Sequence, residues 1–367
     1  MTIARHAAGP AAGPLASRLA DAGDLRRYDW VDAPTPVERA AWLDAPRTRV
    51  WIKRDDASSP IYGGGKVRKL QWVLANAPYD DGRPILSVGG TGSHHLLALA
   101  LFLRPLQREL HALVFEQTWT PHVRRNFAVL VSSGTRLWPV TTRARLPWAW
   151  LAYRLWRRPP ILGVQMPAGA STALGCFGFV EAALELRAQI DAGVLPRPEV
   201  IYVTAGSAGT CAGLALGCAL AGLPVTLQLV SSVEAWAFNR VMFGRMIGAA
   251  HEELRRRGLP EAQRGSAAGW LRECGIGIAI DHHEVGGGYG VPTPQAIAAE
   301  SLAREHGLRL ETTYTAKCLA ALQRIEGAHR GRPRDVLWWN THGGRDLSAE
   351  VDPDWRARSP IAIPDEG

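Results

Sequence analysis

Short apolar runs alternate with amphipathic stretches along most of this chain. Arg49–Lys53 (RVWIK), Pro84–Val88 (PILSV), Leu110–Phe115 (LHALVF), Thr135–Val140, Glu199–Thr204 (EVIYVT), Val225–Val230, Ile276–Ile280 and Asp335–Trp339 have strand length and are mostly apolar. They predict buried strands. Between them, apolar positions recur at three- and four-residue spacing. This predicts helices over Lys66–Ala77, His95–Leu103, Pro121–Leu130, Phe179–Ala192, Gln295–His306 and Ala316–Ile325. Further helices are expected up to Ala221, within Ala235–Arg257 and around Ala267–Cys274, with a short one over Leu15–Leu25. Residues 1–15, rich in Ala, Gly and Pro, read as a loose tail. The β–turn–α rhythm predicts an α/β fold with parallel sheet covered on both faces. No internal repeat is seen.

Small-residue loops follow several of the predicted strands. In an open α/β sheet, ligands bind beyond the carboxyl ends of the strands, so these loops should converge. AGSAGTCAG, Ala205–Gly213, has glycines at 206 and 209, hydroxyls at Ser207 and Thr210, and a helix beyond. It reads as a phosphate cradle, or as a plain strand–helix turn. It is neither a Walker loop nor a full dinucleotide fingerprint, which weakens a nicotinamide-dependent oxidoreductase. In GGTGSHH, Gly89–His95, Ser93 and His94 could touch a cofactor ring or a substrate carboxylate, or the histidines could simply cap a helix. Gln165–Gly178 reads as another small-residue loop.

Composition changes the picture at one point. Of 42 lysines and arginines, only Lys53, Lys66, Lys69 and Lys317 are lysine. Arginine serves as well for surface charge, but its guanidinium forms no imine. Lys66 follows three glycines, Gly63–Gly65, and opens a helix. The lysines are either ordinary surface charges or include a desolvated amine with covalent chemistry. An amine on a glycine turn, a phosphate cradle and further polar loops together describe a covalently held aldehyde-and-phosphate cofactor, pyridoxal phosphate.

The rest of the composition mainly excludes. The net charge of +8 is dispersed and carries no nucleic-acid-binding pattern. Five cysteines without CxxC or metal-ligand spacing fit a reducing cytoplasm. No signal peptide and no membrane span are expected. Leu146–Arg158 (LPWAWLAYRLWRR) could lie on a membrane surface, line a substrate entrance, or pack its aromatic face inward.

KRDDASSPIYGGGKVRKLQ, VGGTGSHH, MPAGASTALGCFGFVEAALEL, AGSAGTCAGLALG, GGGYGVPTPQA and TTYTAK stand in the order of one family. From about residue 34 to 344 the chain resembles the 1-aminocyclopropane-1-carboxylate deaminase/D-cysteine desulfhydrase family. That family belongs to the tryptophan-synthase-β-like, fold type II pyridoxal-phosphate enzymes. The resemblance implies two domains, each with a mostly parallel twisted sheet flanked by helices. Residues 1–68 and 177–367 would form the large cofactor domain, and 69–176 the small one.

The resemblance also implies that Lys66 carries the cofactor and that Ser93 faces the substrate and relays a proton. Gly206, Ser207, Ala208, Gly209 and Thr210 would hold the phosphate. Tyr289 and Tyr314 match two active-site tyrosines, and Thr315 the residue beside the pyridine nitrogen. Deaminases of the family carry glutamate there and the desulfhydrase branch threonine. A hydroxyl supports a weaker electron sink, which favours β-elimination over cyclopropane opening. Two residues depart from the family pattern: Gly65 and His94 both replace asparagine, the second at the cofactor's phenolic oxygen. The terminal HTGG-like motif reads THGG, Thr341–Gly344. The expectation is a cytoplasmic, homodimeric lyase or deaminase that turns a small amino acid into a 2-oxo acid and ammonia. β-Replacement and a non-catalytic ligand-binding homologue are the alternatives.

Overall fold

A computed structural model describes residues 7–155 and 161–364. Its apolar runs gather into two main sheets. The six-stranded sheet runs in the order Ile276–Asp281, Val225–Ser231, Val200–Ala205, Arg334–Asn340, Thr48–Arg54, Val37–Arg39. Every neighbouring pair is parallel except the short edge pair, Val37–Arg39 on Thr48–Arg54. The four-stranded sheet runs Arg136–Val140, Leu110–Phe115, Ile85–Gly90, Val164–Gln165 and is parallel throughout. Val200–Ala205 and Leu110–Phe115 are buried along their whole length, as parallel strands with both faces covered must be.

Three helices pack at backbone distance behind the glycine turn. They are Gly65–Val73, Ala173–Asp191 and Gly209–Leu220. A Cβ on Gly178 would stand 1.8 Å from the Arg68 carbonyl oxygen, and one on Gly213 2.3 Å from that of Cys176. Only glycine permits these crossings.

Several boundaries differ from expectation for local reasons. The 165–178 stretch is not all loop: a helix starts at Ala173, where Thr172 Oγ1 accepts from the Gly175 N–H. Its small residues serve close helix packing rather than a turn. The lysine-bearing helix ends at Val73, short of Ala77, and Asn76 Nδ2 donates to the Trp72 carbonyl. The helix expected from Ala235 starts at Arg240, capped by Asn239, whose side chain accepts from the Val241 and Met242 N–H groups. Leu15–Leu25 holds only a 3-10 turn at Ala16–Arg18, yet Leu15, Leu19 and Leu25 are buried in the core. The tail is not wholly loose: Gly9–Pro10 pairs with Arg26–Arg27. In the tryptophan-rich segment, Leu146–Leu155 is helical and buries Tyr153, while Trp148 stays 71% exposed. Its residues 156–158 lie outside the described residues. Among the described residues, no helix is long and apolar enough to cross a membrane.

A buried charge network fixes the lysine-bearing helix to both neighbouring layers. Arg68 Nε and Nη2 donate to Asp55, at 2.9 and 2.8 Å, and Nη1 donates to Glu185 at 3.0 Å. Asp55 also accepts from Thr35 Oγ1 and from Trp339 Nε1. Lys53 Nζ donates to Glu185, to Gln189 Oε1 and to the Thr35 carbonyl. Burial would push the Glu185 carboxyl up, but Arg68 and Lys53 outweigh it and hold it at about 2. Removing one member strands the others without partners. Asp55→Ala should therefore cost about 3–5 kcal/mol in urea unfolding; a loss under 1 kcal/mol would show the network is not structural.

Candidate active site

The glycine turn is shaped by what it touches. Gly64 has φ +88°, its N–H donates to the Asp55 carbonyl at 2.6 Å, and a Cβ would meet the Thr341 carbonyl oxygen at 2.6 Å. The Gly65 N–H donates to the same Thr341 carbonyl at 3.0 Å. A Cβ on Gly65 would lie 2.9 Å from the Phe179 ring. The missing asparagine at 65 is thus matched by an aromatic ring packed into its place. Lys66 follows in the first turn of the helix and faces a cavity of about 530 Å³.

None of the four lysines is a surface charge. Lys53, Lys69 and Lys317 are buried, and Lys317 Nζ donates to the Val285 carbonyl at 2.8 Å. Lys66 takes no part in any hydrogen bond or ion pair found among the described residues. Burial holds its amine below the usual lysine range, against the pull of the Glu311 carboxylate.

Ten of the eleven residues singled out from the sequence line this one cavity: Lys66, Ser93, His94, Gly206, Ser207, Ala208, Thr210, Tyr289, Tyr314 and Thr315. Gly209 stands behind the wall, its N–H donated to the Ser207 carbonyl and to Ser171 Oγ. Ser93, not a histidine, caps the helix His94–Leu103 by accepting from the Leu96 N–H. The Tyr289 and Tyr314 hydroxyls lie 2.6 Å apart, and burial pushes both phenols up, so they stay protonated.

Two features test whether a phosphorylated pyridine aldehyde suits this cavity. At one end, Ala208 has φ +66° and leads into the helix Gly209–Leu220, whose N-terminal residues Ala208 and Thr210 line the cavity. Ser207 Oγ lies 2.8 Å from Ser171 Oγ, and Lys69 Nζ donates to Ser171 Oγ at 3.2 Å. Burial, and secondarily Lys66, bring the Lys69 amine down to about 7. A buried amine without a carboxylate partner beside two hydroxyls calls for an anion. At the other feature, His94 Nδ1 lies 2.5 Å from the Tyr62 hydroxyl, and burial keeps Tyr62 protonated. Tyr62 then donates to Nδ1, so Nε2 bears the His94 proton. That Nε2 is buried and has no partner. It is a donor suited to a phenolic oxygen, which an asparagine amide would otherwise meet. The residues fit the group.

Glu311 carries no motif signal, yet it is the most informative acid of the site. It accepts from the N–H groups of Thr313, Tyr314 and Thr315 and from Thr315 Oγ1 at 3.1 Å. The Thr315 hydroxyl is thereby backed by a buried carboxyl one bond away. With its oxygens committed to these donors, Glu311 is no obvious metal ligand, although His94 and His122 bring ring nitrogens to within 4.8 Å of it. Three nitrogens around it, on His94, His122 and His342, are unpartnered, and burial keeps these rings neutral. In the sequence Lys69 is likewise only one of a few lysines; its place beside Ser171 becomes visible only when the chain is folded.

Two outcomes follow from these charges. Lys69→Met should weaken pyridoxal-phosphate binding at least about tenfold, read by equilibrium dialysis, since a charge-assisted contact is lost. Burial raises Glu311 from 4.5 to about 7. Its native form therefore holds a proton more tightly than the unfolded chain, and stability falls as pH rises from about 4.5 toward 7. Apo-protein carrying Glu311→Gln should lose less stability across that window than the parent; equal slopes in pH-resolved unfolding would contradict the assignment.

Comparison with known proteins agrees with this geometry. A family model described as "Pyridoxal-phosphate dependent enzyme" matches residues 31–341. Nocardicin C-9' epimerase of Nocardia uniformis subsp. tsuyamanensis is 32% identical over 348 residues, covering 90% of this chain and 97% of that one. D-cysteine desulfhydrase of Salmonella paratyphi A is 30% identical over 337 residues, covering 88% and 95%. The crystal structure of an ACC deaminase homologue superposes with TM-score 0.67 at 21% identity, covering 91% of this chain and 95% of that one. Threonine deaminase isoform 2 of Solanum lycopersicum does so with TM-score 0.56 at 16% identity, covering 93% and 88%. These likenesses fit the fold type II expectation of an α/β chain with parallel sheets flanked by helices. The chain belongs to the pyridoxal-phosphate-dependent enzyme family and is an enzyme of the ACC deaminase/D-cysteine desulfhydrase type.

Proposed function

We propose that this enzyme removes the α-proton of an amino acid and that Lys66 is the base. The observation that carries the reading is the lone Lys66 amine, desolvated and facing the same cavity as Ser207, which Ser171 links to the Lys69 amine behind the wall. Bound pyridoxal phosphate supplies an electron sink that acidifies the substrate Cα–H. Lys66 would anchor it covalently, the backbone at 206–210 with Lys69 would hold its phosphate, and His94 Nε2 would donate to its phenolic oxygen.

The remaining roles belong to side chains of this cavity. Burial of Lys66 favours its neutral, basic form. Ser93 and the Tyr289–Tyr314 hydroxyl pair orient the substrate carboxylate and hold a proton away from Lys66. Where Cβ bears a leaving group, loss of the α-proton expels it, and water then releases ammonia and a 2-oxo acid. This is the desulfhydrase-like α,β-elimination, and a threonine at 315 supports it. A second reading is reprotonation at Cα, which inverts the centre. It is favoured by the two separate proton holders, Lys66 and the paired tyrosines, and by the epimerase among the relatives. β-Replacement would use the same first step. A division at 69 and 176 into large and small domains, and a homodimer in a reducing setting, belong to this proposal. The five free cysteines suit that setting.

The holoenzyme in deuterated water should exchange the α-proton of at least one amino acid, read by mass spectrometry. Lys66→Ala should lower the exchange by at least about 10³-fold. Exchange that survives Lys66→Ala would remove the lysine from the chemistry.

A further inference from the structure

The two ends of the cavity differ in kind. The inner end carries the hydroxyls, the amine and the imidazole already described. The outer wall is Val88, Phe115, Leu146, Pro147, Val233 and Trp236. The charged side chain among these outer residues is Arg143, and its charge is already met. Its Nη1 lies 3.0 Å from both carboxylate oxygens of Glu234. The guanidinium face is turned to a cluster of rings. Its carbon is 4.9 Å from the Trp236 ring centre, 5.2 Å from that of Tyr289 and 5.9 Å from that of Phe115.

Trp236 lines the cavity yet leaves 68% of its surface exposed. Leu146 and Pro147 reach it from the segment after the strand Arg136–Val140, and Val233 and Trp236 from the loop after Val225–Ser231. Beyond the Trp236 indole N–H and the remaining Arg143 N–H groups, this wall offers a hydroxymethyl or thiol side chain no side-chain donor or acceptor. An aromatic ring would find indole, phenyl and guanidinium planes, the surfaces that aromatic side chains stack on.

We propose that the amino acid this site takes carries an aromatic side chain, seated on the outer wall between Phe115 and Trp236 under Arg143. This names a substrate class for the α-proton chemistry and rests on that reading. It places the tryptophan-rich segment's leading residues, Leu146 and Pro147, at the substrate entrance.

The test titrates the holoenzyme with both enantiomers of phenylalanine and tryptophan, and in parallel with those of alanine and serine. Binding is followed by the visible absorption of the cofactor, and α-proton exchange in deuterated water is read on the same samples. Aromatic amino acids should half-saturate at concentrations at least about tenfold below the small ones. Trp236→Ala should shrink that selectivity ratio about tenfold; the residue is largely exposed, so its loss leaves the core intact. Small amino acids that half-saturate at equal or lower concentrations would overturn the proposal, as would a ratio unmoved by Trp236→Ala. Binding by neither class overturns both readings. Aromatic preference without any α-proton exchange leaves the wall assignment standing and removes the chemistry. Exchange confined to small amino acids does the reverse.

Discussion

One guanidinium decides where the reactive amine stands. Arg68 is two residues beyond Lys66 on the same short helix and is buried between Asp55 and Glu185. Asp55 lies just past the strand Thr48–Arg54, and Glu185 on the helix Ala173–Asp191. A buried charge with fixed partners on both sides cannot slide or rotate without losing them. The helix is therefore held in angle and register, and Lys66 with it. The glycines before it add a second constraint, since Gly64 and Gly65 are tied to the Asp55 and Thr341 carbonyls.

The same economy of charge shapes the cavity. Its histidines and tyrosines are held neutral by burial, and Glu311 is pushed toward neutrality. Arg143 is balanced by Glu234. Among the described residues, the donors left without an acceptor of their own charge or kind include the Lys66 amine, the Lys69 ammonium, which has only the Ser171 hydroxyl, and the His94 Nε2 donor. They match the aldehyde, phosphate and phenolic oxygen of one ligand. Polar groups that remain unpaired in a buried cavity bear on which ligand it takes.

Much of this was legible in the chain before folding. The scarcity of lysine drew attention to Lys66, and the alternation of apolar runs predicted parallel strands whose carboxyl-end loops converge. Motif order led to the family. What pattern could not reveal were features made by long-range packing. Small residues from 173 to 178 look like loop but are helix, because Gly178 must let Arg68's backbone approach. Gly65 looks like a defect until Phe179 is seen filling its space. Glu311 has no spacing signature at all; its importance comes from capping backbone N–H groups at the cavity wall. Thr315 looked like a lone hydroxyl and is one backed by that acid.

The most direct test of the central claim is to reduce the holoenzyme with borohydride and map the labelled peptide by mass spectrometry. Reduction makes any lysine–cofactor link permanent. The account predicts a single phosphopyridoxyl group on Lys66. A label on Lys69, Lys53 or Lys317, or no label on a fully reduced holoenzyme, would contradict it.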